Sequence, residues 1–226
     1  DVAGTLTCNA STCSFGSGVT SGYGLSVSGT FNGGTGTHTM GSLRGVGGSP
    51  GGTITLSQGV TTIDSEFQSS NQLIEISSGS NSWNNGGGTL TITTQAASNF
   101  VLNKSGATLN NFIINHASAV ITIATTPITV DGNMTITAGQ FNTGSNYALT
   151  VTGYCDVTGT LTLNDSAVSV AALRTNSGAA VTQGSSGTLA LATGSNFGGS
   201  ESFKRIKQKK DKRLCNFEKH PFVISD

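Results

Sequence analysis

Along this chain two aliphatic residues are repeatedly separated by a single residue, most often Thr or Ser. Eight such pairs are Leu25/Val27, Ile54/Leu56, Leu90/Ile92, Ile128/Val130, Met134/Ile136, Leu149/Val151, Leu161/Leu163 and Leu189/Leu191. A period of two is the mark of a strand with one apolar face and one hydroxyl-bearing face. Glycine, asparagine and serine fill the gaps, and the rhythm runs on to about residue 199. Strands this short bury too little to make a core alone, so they must stack on one another. The clearest self-match sets ITVDGNMTIT, residues 128–137, beside LTVTGYCDVT, residues 149–158, so that Ile128 aligns with Leu149. The pattern predicts an all-β fold, a parallel β-helix or β-solenoid, with coils of about 20–24 residues and Leu, Ile and Val stacked inside. Roughly eight or nine coils, about 4.8 Å apart, would make a rod on the order of 40 Å long. An antiparallel sandwich is the competing arrangement, and the NGG turns at 32–34 and 85–87 would suit its hairpins. The self-match relates whole coils rather than hairpin partners and favours the solenoid.

Composition supports a thin coil. With 32 Gly in 226 residues, 10% charged and 6% aromatic side chains, the core must be narrow and aliphatic. The net charge of zero hides an asymmetry. Residues 1–202 carry three basic and eight acidic side chains, whereas 203–226 carry eight basic and three acidic ones. The body thus has no basic stripe to follow a phosphate backbone, so no specific nucleic-acid partner is expected. No apolar run approaches the eighteen or so residues of a membrane helix, so no transmembrane segment is expected. Three segments follow: an N-terminal cap over 1–20, where Val2, Leu6 and Phe15 cover the open end; the solenoid over 21–199; and a basic tail over 200–226. The KRIKQKKDKR block repels itself and stays solvated, so 203–226 are expected to remain mobile and outside the coil.

Chemistry is sparse. No phosphate-binding loop, dinucleotide fingerprint, HExxH or CxxC is present, and no catalytic, cofactor-binding or metal-ligating set is expected. His38, His116 and His220 are far apart, and the polar THT context of His38 reads as a surface position. Cys8 and Cys13 bracket CNASTC, which suits either a local disulfide or two small buried thiols in a turn. Asp64 and Glu66, at i and i+2, share a strand face if that segment is extended. Glu75 from the next coil would complete a carboxylate group, with Arg44, Phe67 and Trp83 nearby for an acidic or neutral glycan. Glycoside hydrolysis needs carboxyls about 5–9.5 Å apart, so Asp64, Glu66 and Glu75 are the candidates for a polysaccharide-degrading alternative. Acids dispersed over a hydrophilic wall are the plainer reading. Asn103, Asn110, Asn111 and Asn115 suit corners, where a side-chain amide satisfies turn backbone. The TxT pattern invites comparison with an ordered hydroxyl array, but its irregular spacing argues against one continuous array.

The combination of GTLTLNDS, PITVDGNMTITAG, YALTVTGYCDVTGTLTL and NSGAAVTQGSSGTLALATG resembles the repetitive passenger regions of microbial surface proteins, the autotransporter and filamentous-haemagglutinin-like adhesins. The resemblance covers about residues 21–199 and implies a right-handed parallel β-helix, export, and an adhesive or surface-layer role. It supplies no catalytic residues. The expected function is a non-enzymatic extracellular structural or adhesive segment of a repetitive surface protein. Its partners would be glycan or protein surface ligands, with lateral self-association, at an extracellular or cell-surface location. A polysaccharide-degrading enzyme and a viral fibre or spike segment are the alternatives.

Overall fold

The computed structural model describes residues 1–17, 23–66, 71–76, 80–94, 97–102, 106–192, 196–197 and 203–205, with 97–99, 101, 196–197 and 203–205 described by backbone alone. The chain is a parallel β-solenoid of about eight turns. Each turn contributes one strand, or half of a longer bent strand, to each of three faces.

The first face stacks Thr5–Thr7, Thr30–Asn32, Thr53–Thr55 and Ser82–Asn84 in parallel. It resumes with Thr108–Leu109, Ile128–Val130, 149–151, 168–170 and Thr188–Leu191. Between these two blocks side chains make the join: Trp83 Nε1 donates to the Thr108 carbonyl at 2.9 Å, and Asn85 Nδ2 to Thr108 Oγ1 at 2.8 Å. The second face runs Cys13–Phe15, His38–Met40, Val60–Ile63, Thr89–Ile92, 111–114, 134–136, 155–157, 173–175 and Asn196–Phe197. The third runs Leu25–Val27, Leu43–Gly45, Gln72–Ile76, Ala97–Leu102, 120–123, 140–142, Thr160–Thr162, Ala180–Gln183 and Phe203–Arg205.

The sequence self-match is one turn of this coil. Ile128 pairs with Leu149 and Val130 with Val151 on the first face, and Met134 pairs with Cys155 and Ile136 with Val157 on the second. Of the eight aliphatic pairs, seven have both members buried. Leu189 is half-buried and Leu191 exposed, because the last turn has less of the stack beneath it. Phenylalanines interrupt the aliphatic core on three successive rungs, where Phe112 meets Phe100 and Phe141 edge-on at 5.7 and 6.0 Å, and near the N-terminus, where Phe15 meets Phe31 at 5.7 Å. Fully burying such side chains contributes about 1.5–3 kcal/mol each, which is what offsets the ordering of so much Gly-rich backbone.

Corners are built from glycine and asparagine. Met134–Asn142 bends from the second face to the third at Gly139, whose φ is 81°. A Cβ there would lie 2.4 Å from the His116 carbonyl oxygen of the adjacent rung, so only glycine fits. Asn111 Oδ1 accepts from the Asn133 backbone N–H at 2.9 Å, and Asn133 Oδ1 accepts from that of Tyr154 at 2.9 Å, a relay from rung to rung. Asn110 Nδ2 donates to the Gly88 carbonyl at 3.2 Å. Asn110 and Asn111 therefore do serve turn backbone, whereas Asn115 stands exposed in the strand and Asn103 lies outside the described residues.

Two expectations change. The segment 1–20 is more than a cap: Thr5–Thr7 and Cys13–Phe15 are strands of the first rung, with Leu6 and Phe15 packed against the core. At the other end Phe203–Arg205 pairs in parallel with Ala180–Gln183, so the first residues of the basic segment join the coil. Strand pairing needs only backbone groups, and the positive side chains do not prevent it. The rest of that segment lies outside the described residues. The TxT motifs form no continuous array, as expected: on four successive rungs of the first face the stacked pairs are Thr5/Thr7, Thr30/Asn32, Thr53/Thr55 and Ser82/Asn84.

Candidate functional site

The outer wall carries two clusters of charged and aromatic side chains, and the inner wall one cluster of metal-ligating groups. The most open cluster lies on the second face toward the C-terminal end. There 155–157 and 173–175 are adjacent strands, and their register sets Asp156 beside Arg174 and Tyr154 beside Ala172. Period-two alternation turns Cys155, Val157 and Leu173 inward and leaves the polar neighbours outside. The Arg174 guanidinium sits 3.4 Å from the centroid of the Tyr154 ring, and its Nη1 lies 3.8 Å from Asp156 Oδ1. Tyr154 is 43% exposed. Beside them Thr135, Thr137, Asp156, Thr158, Arg174, Thr175 and Asn176 line a recess of about 520 Å³. Asn176 Nδ2 donates to Thr158 Oγ1 at 3.0 Å, which orders one wall. Hydroxyls, an amide, a guanidinium, a carboxylate and an aromatic edge are the groups that hydrogen-bond and stack on a polar ligand such as a sugar. The ion pair is half-exposed and adds little stability, so its members remain available to a ligand.

The second cluster holds part of the expected carboxylate set. Asp64 and Glu66 follow the strand Val60–Ile63 rather than lying in it, and both are half-buried on either side of buried Ser65. Asp64 accepts a hydrogen bond from Ser17. Glu75 stands on the third face, opposite Arg44 of the preceding rung, with Arg44 Nε 3.4 Å from Glu75 Oε2. The Tyr23 hydroxyl donates to Glu75, and the Arg44 guanidinium lies 5.1 Å from the Tyr23 ring centroid. Glu75 is thus engaged by a cation and a phenol. Phe67 lies outside the described residues, and Trp83 points inward as part of the join described above.

His38 overturns its surface reading. It is fully buried, pairs with Cys13 and Thr61 in the inward column of the second face, and abuts Phe15 and Phe31 at 6.4 and 6.3 Å. The signal was present in the sequence: Met40 is an inward aliphatic, and His38 stands at the next inward position before it. Cys8 and Cys13 carry free thiols rather than a disulfide. Burial, then the neighbouring Cys13, pushes the Cys8 thiol up to about 12. Burial, then the adjacent Asp156 charge, does the same for Cys155. The sulfurs of Cys8 and Cys13 and an imidazole nitrogen of His38 all lie within 4.8 Å of one another, the one such grouping of three ligands among the described residues.

No helix among the described residues is long and apolar enough to cross a membrane. No family model, curated protein or solved structure matches this chain.

Proposed function

We propose that this chain is a non-enzymatic structural or adhesive segment of a repetitive extracellular surface protein. The observation that carries the reading is the parallel stack from Thr5 to Arg205, with aliphatic side chains inside and Thr, Ser and Asn outside on all three faces. Such a stack is a rigid spacer that repeats a polar surface along its length, and rigidity lowers the ordering cost of binding. The recess at Asp156 and Arg174, with Tyr154 beside it, offers a contact surface suited to a glycan. The resemblance of the repeats to adhesin passenger regions points the same way.

A polysaccharide-degrading enzyme is the reading to test against. Glu75, one of its three carboxylates, is committed to Arg44 and Tyr23. The experiment is to incubate the purified chain with a panel of neutral and acidic polysaccharides and follow both retention and chain length. Retention without shortening is expected. Shortening that disappears in Asp64→Asn would replace this function with the enzymatic one.

A further inference from the structure

The first rung of a solenoid has a neighbour on one side only and is its weak point. Here Leu6 and Phe15 of that rung are only partly buried. At this end three ligating side chains converge. Cys8 follows the first strand, and its backbone N–H bonds to the Asn32 carbonyl of the second rung at 2.9 Å. Cys13 opens the next strand and is in register with His38 of the second rung. Cys8 and His38 are 5% and 0% exposed.

The imidazole is set up as a ligand. His38 Nε2 donates its proton to the Gly33 carbonyl at 2.6 Å, which fixes the tautomer and leaves a lone pair on Nδ1. That Nδ1 is buried and has no hydrogen-bond partner. A metal-bound histidine makes this same backbone hydrogen bond with its other nitrogen. An orphaned buried nitrogen beside two thiols otherwise has no explanation in a core this well packed. The next inward position of the column, Thr61, also has a buried hydroxyl without a partner.

We propose that Cys8, Cys13 and His38 Nδ1 bind a thiophilic d10 cation, Zn²⁺ in the first instance, which ties the terminal rung to the second. Two thiolates and an imidazole are ligands for such ions. In a tetrahedral zinc site, bonds of about 2.3 Å to sulfur and about 2.0–2.1 Å to nitrogen place the ligand atoms about 3.6–3.8 Å apart. Both sulfurs and an imidazole nitrogen already lie within 4.8 Å of one another, so small movements of these side chains close the site. Binding expels the two thiol protons, and the cation offsets the repulsion between the two neighbouring thiolates. Water or the Thr61 hydroxyl fills the fourth position. The ion takes the place of a terminal capping repeat, and it requires the reduced form because a Cys8–Cys13 disulfide would consume both sulfurs.

The test uses the full chain, reduced and stripped of metal with a chelator, then titrated with Zn²⁺ and separately with Co²⁺. One ion per chain, a rise in melting temperature with Zn²⁺, and the intense visible absorption of thiolate-bound tetrahedral Co²⁺ are expected. Partly exposed Cys13→Ser should weaken Zn²⁺ binding at least tenfold and clearly diminish the sulfur-to-cobalt absorption, while Cys155→Ala leaves both intact. Because the Co²⁺ spectrum is read on the unmodified chain, the result does not depend on any variant folding. Absence of Co²⁺ absorption in the reduced chain, or Zn²⁺ affinity unchanged in Cys13→Ser, would overturn the site.

Discussion

Met134 and Cys155 are directly paired on adjacent rungs, both fully buried on the inner wall of the second face. The pairing converts a faint sequence similarity into a physical repeat. Whatever occupies one position must pack on whatever occupies the other.

Val151 lies between Val130 and Val170 in the same kind of inner column and is 1% exposed. Val151→Asp would place a carboxylate there without a cation. The expected loss is on the order of 3–5 kcal/mol, a large part of the stability of a typical domain. Thr150→Asp, one position away on the outer wall, should stay within about 0.5 kcal/mol. Denaturant unfolding of the two variants checks the inside–outside assignment, and equal effects would contradict it.

Cys155 makes stability depend on alkaline pH. Its folded pKa is pushed up to about 12 from 9.0, first by burial and then by Asp156. The folded chain thus holds this proton where the unfolded chain has lost it. The contribution is full below pH 9.0 and is lost as pH rises toward 12. Cys8, raised for the same leading reason, adds to the trend. Unfolding free energy measured from about pH 8 to about pH 11 should fall, and Cys155→Ala should make the fall shallower. An unchanged slope in that variant would show that the thiol is not shielded.

Phe203–Arg205 closes the described part of the third face by pairing Val181 with Phe203 and Gln183 with Arg205. A chain ending at Ser202 should therefore melt several degrees below one ending at Arg205, since it leaves the edge of Ala180–Gln183 unpaired. Identical melting curves would show that this last pairing adds no stability.

Much of the architecture was legible because the inner columns are aliphatic and period two is unambiguous. Leu149 and Val151 announce their strand, and the short corners after Ile128–Val130 keep the rungs in near-constant step, so Ile128 falls on Leu149 just as Met134 falls on Cys155. The N-terminal half hides the same geometry behind longer and unequal connections. Thr30 stacks on Thr53 and Thr53 on Ser82, so the second of these turns takes in a longer stretch of chain than the first. Parallel stacking fixes where strands lie but not how far the chain wanders between them, so spacing in sequence does not report regularity in space. His38 was missed because its neighbours are threonines, and residue type outweighed position. The recess at Thr135, Asp156 and Arg174 spans three rungs, and only the register of 134–136 on 155–157 and of 155–157 on 173–175 brings it together.

Retention on immobilised glycans is the most direct test of the proposed adhesive role, with the unmodified chain compared against Arg174→Ala, Tyr154→Ala and the remote Thr62→Ala on the same face. The account predicts that the unmodified chain and Thr62→Ala are retained alike, and that Arg174→Ala and Tyr154→Ala lose retention at least tenfold with melting temperatures shifted by no more than a degree or two. Retention equal in all four chains, or none in any of them, would contradict it.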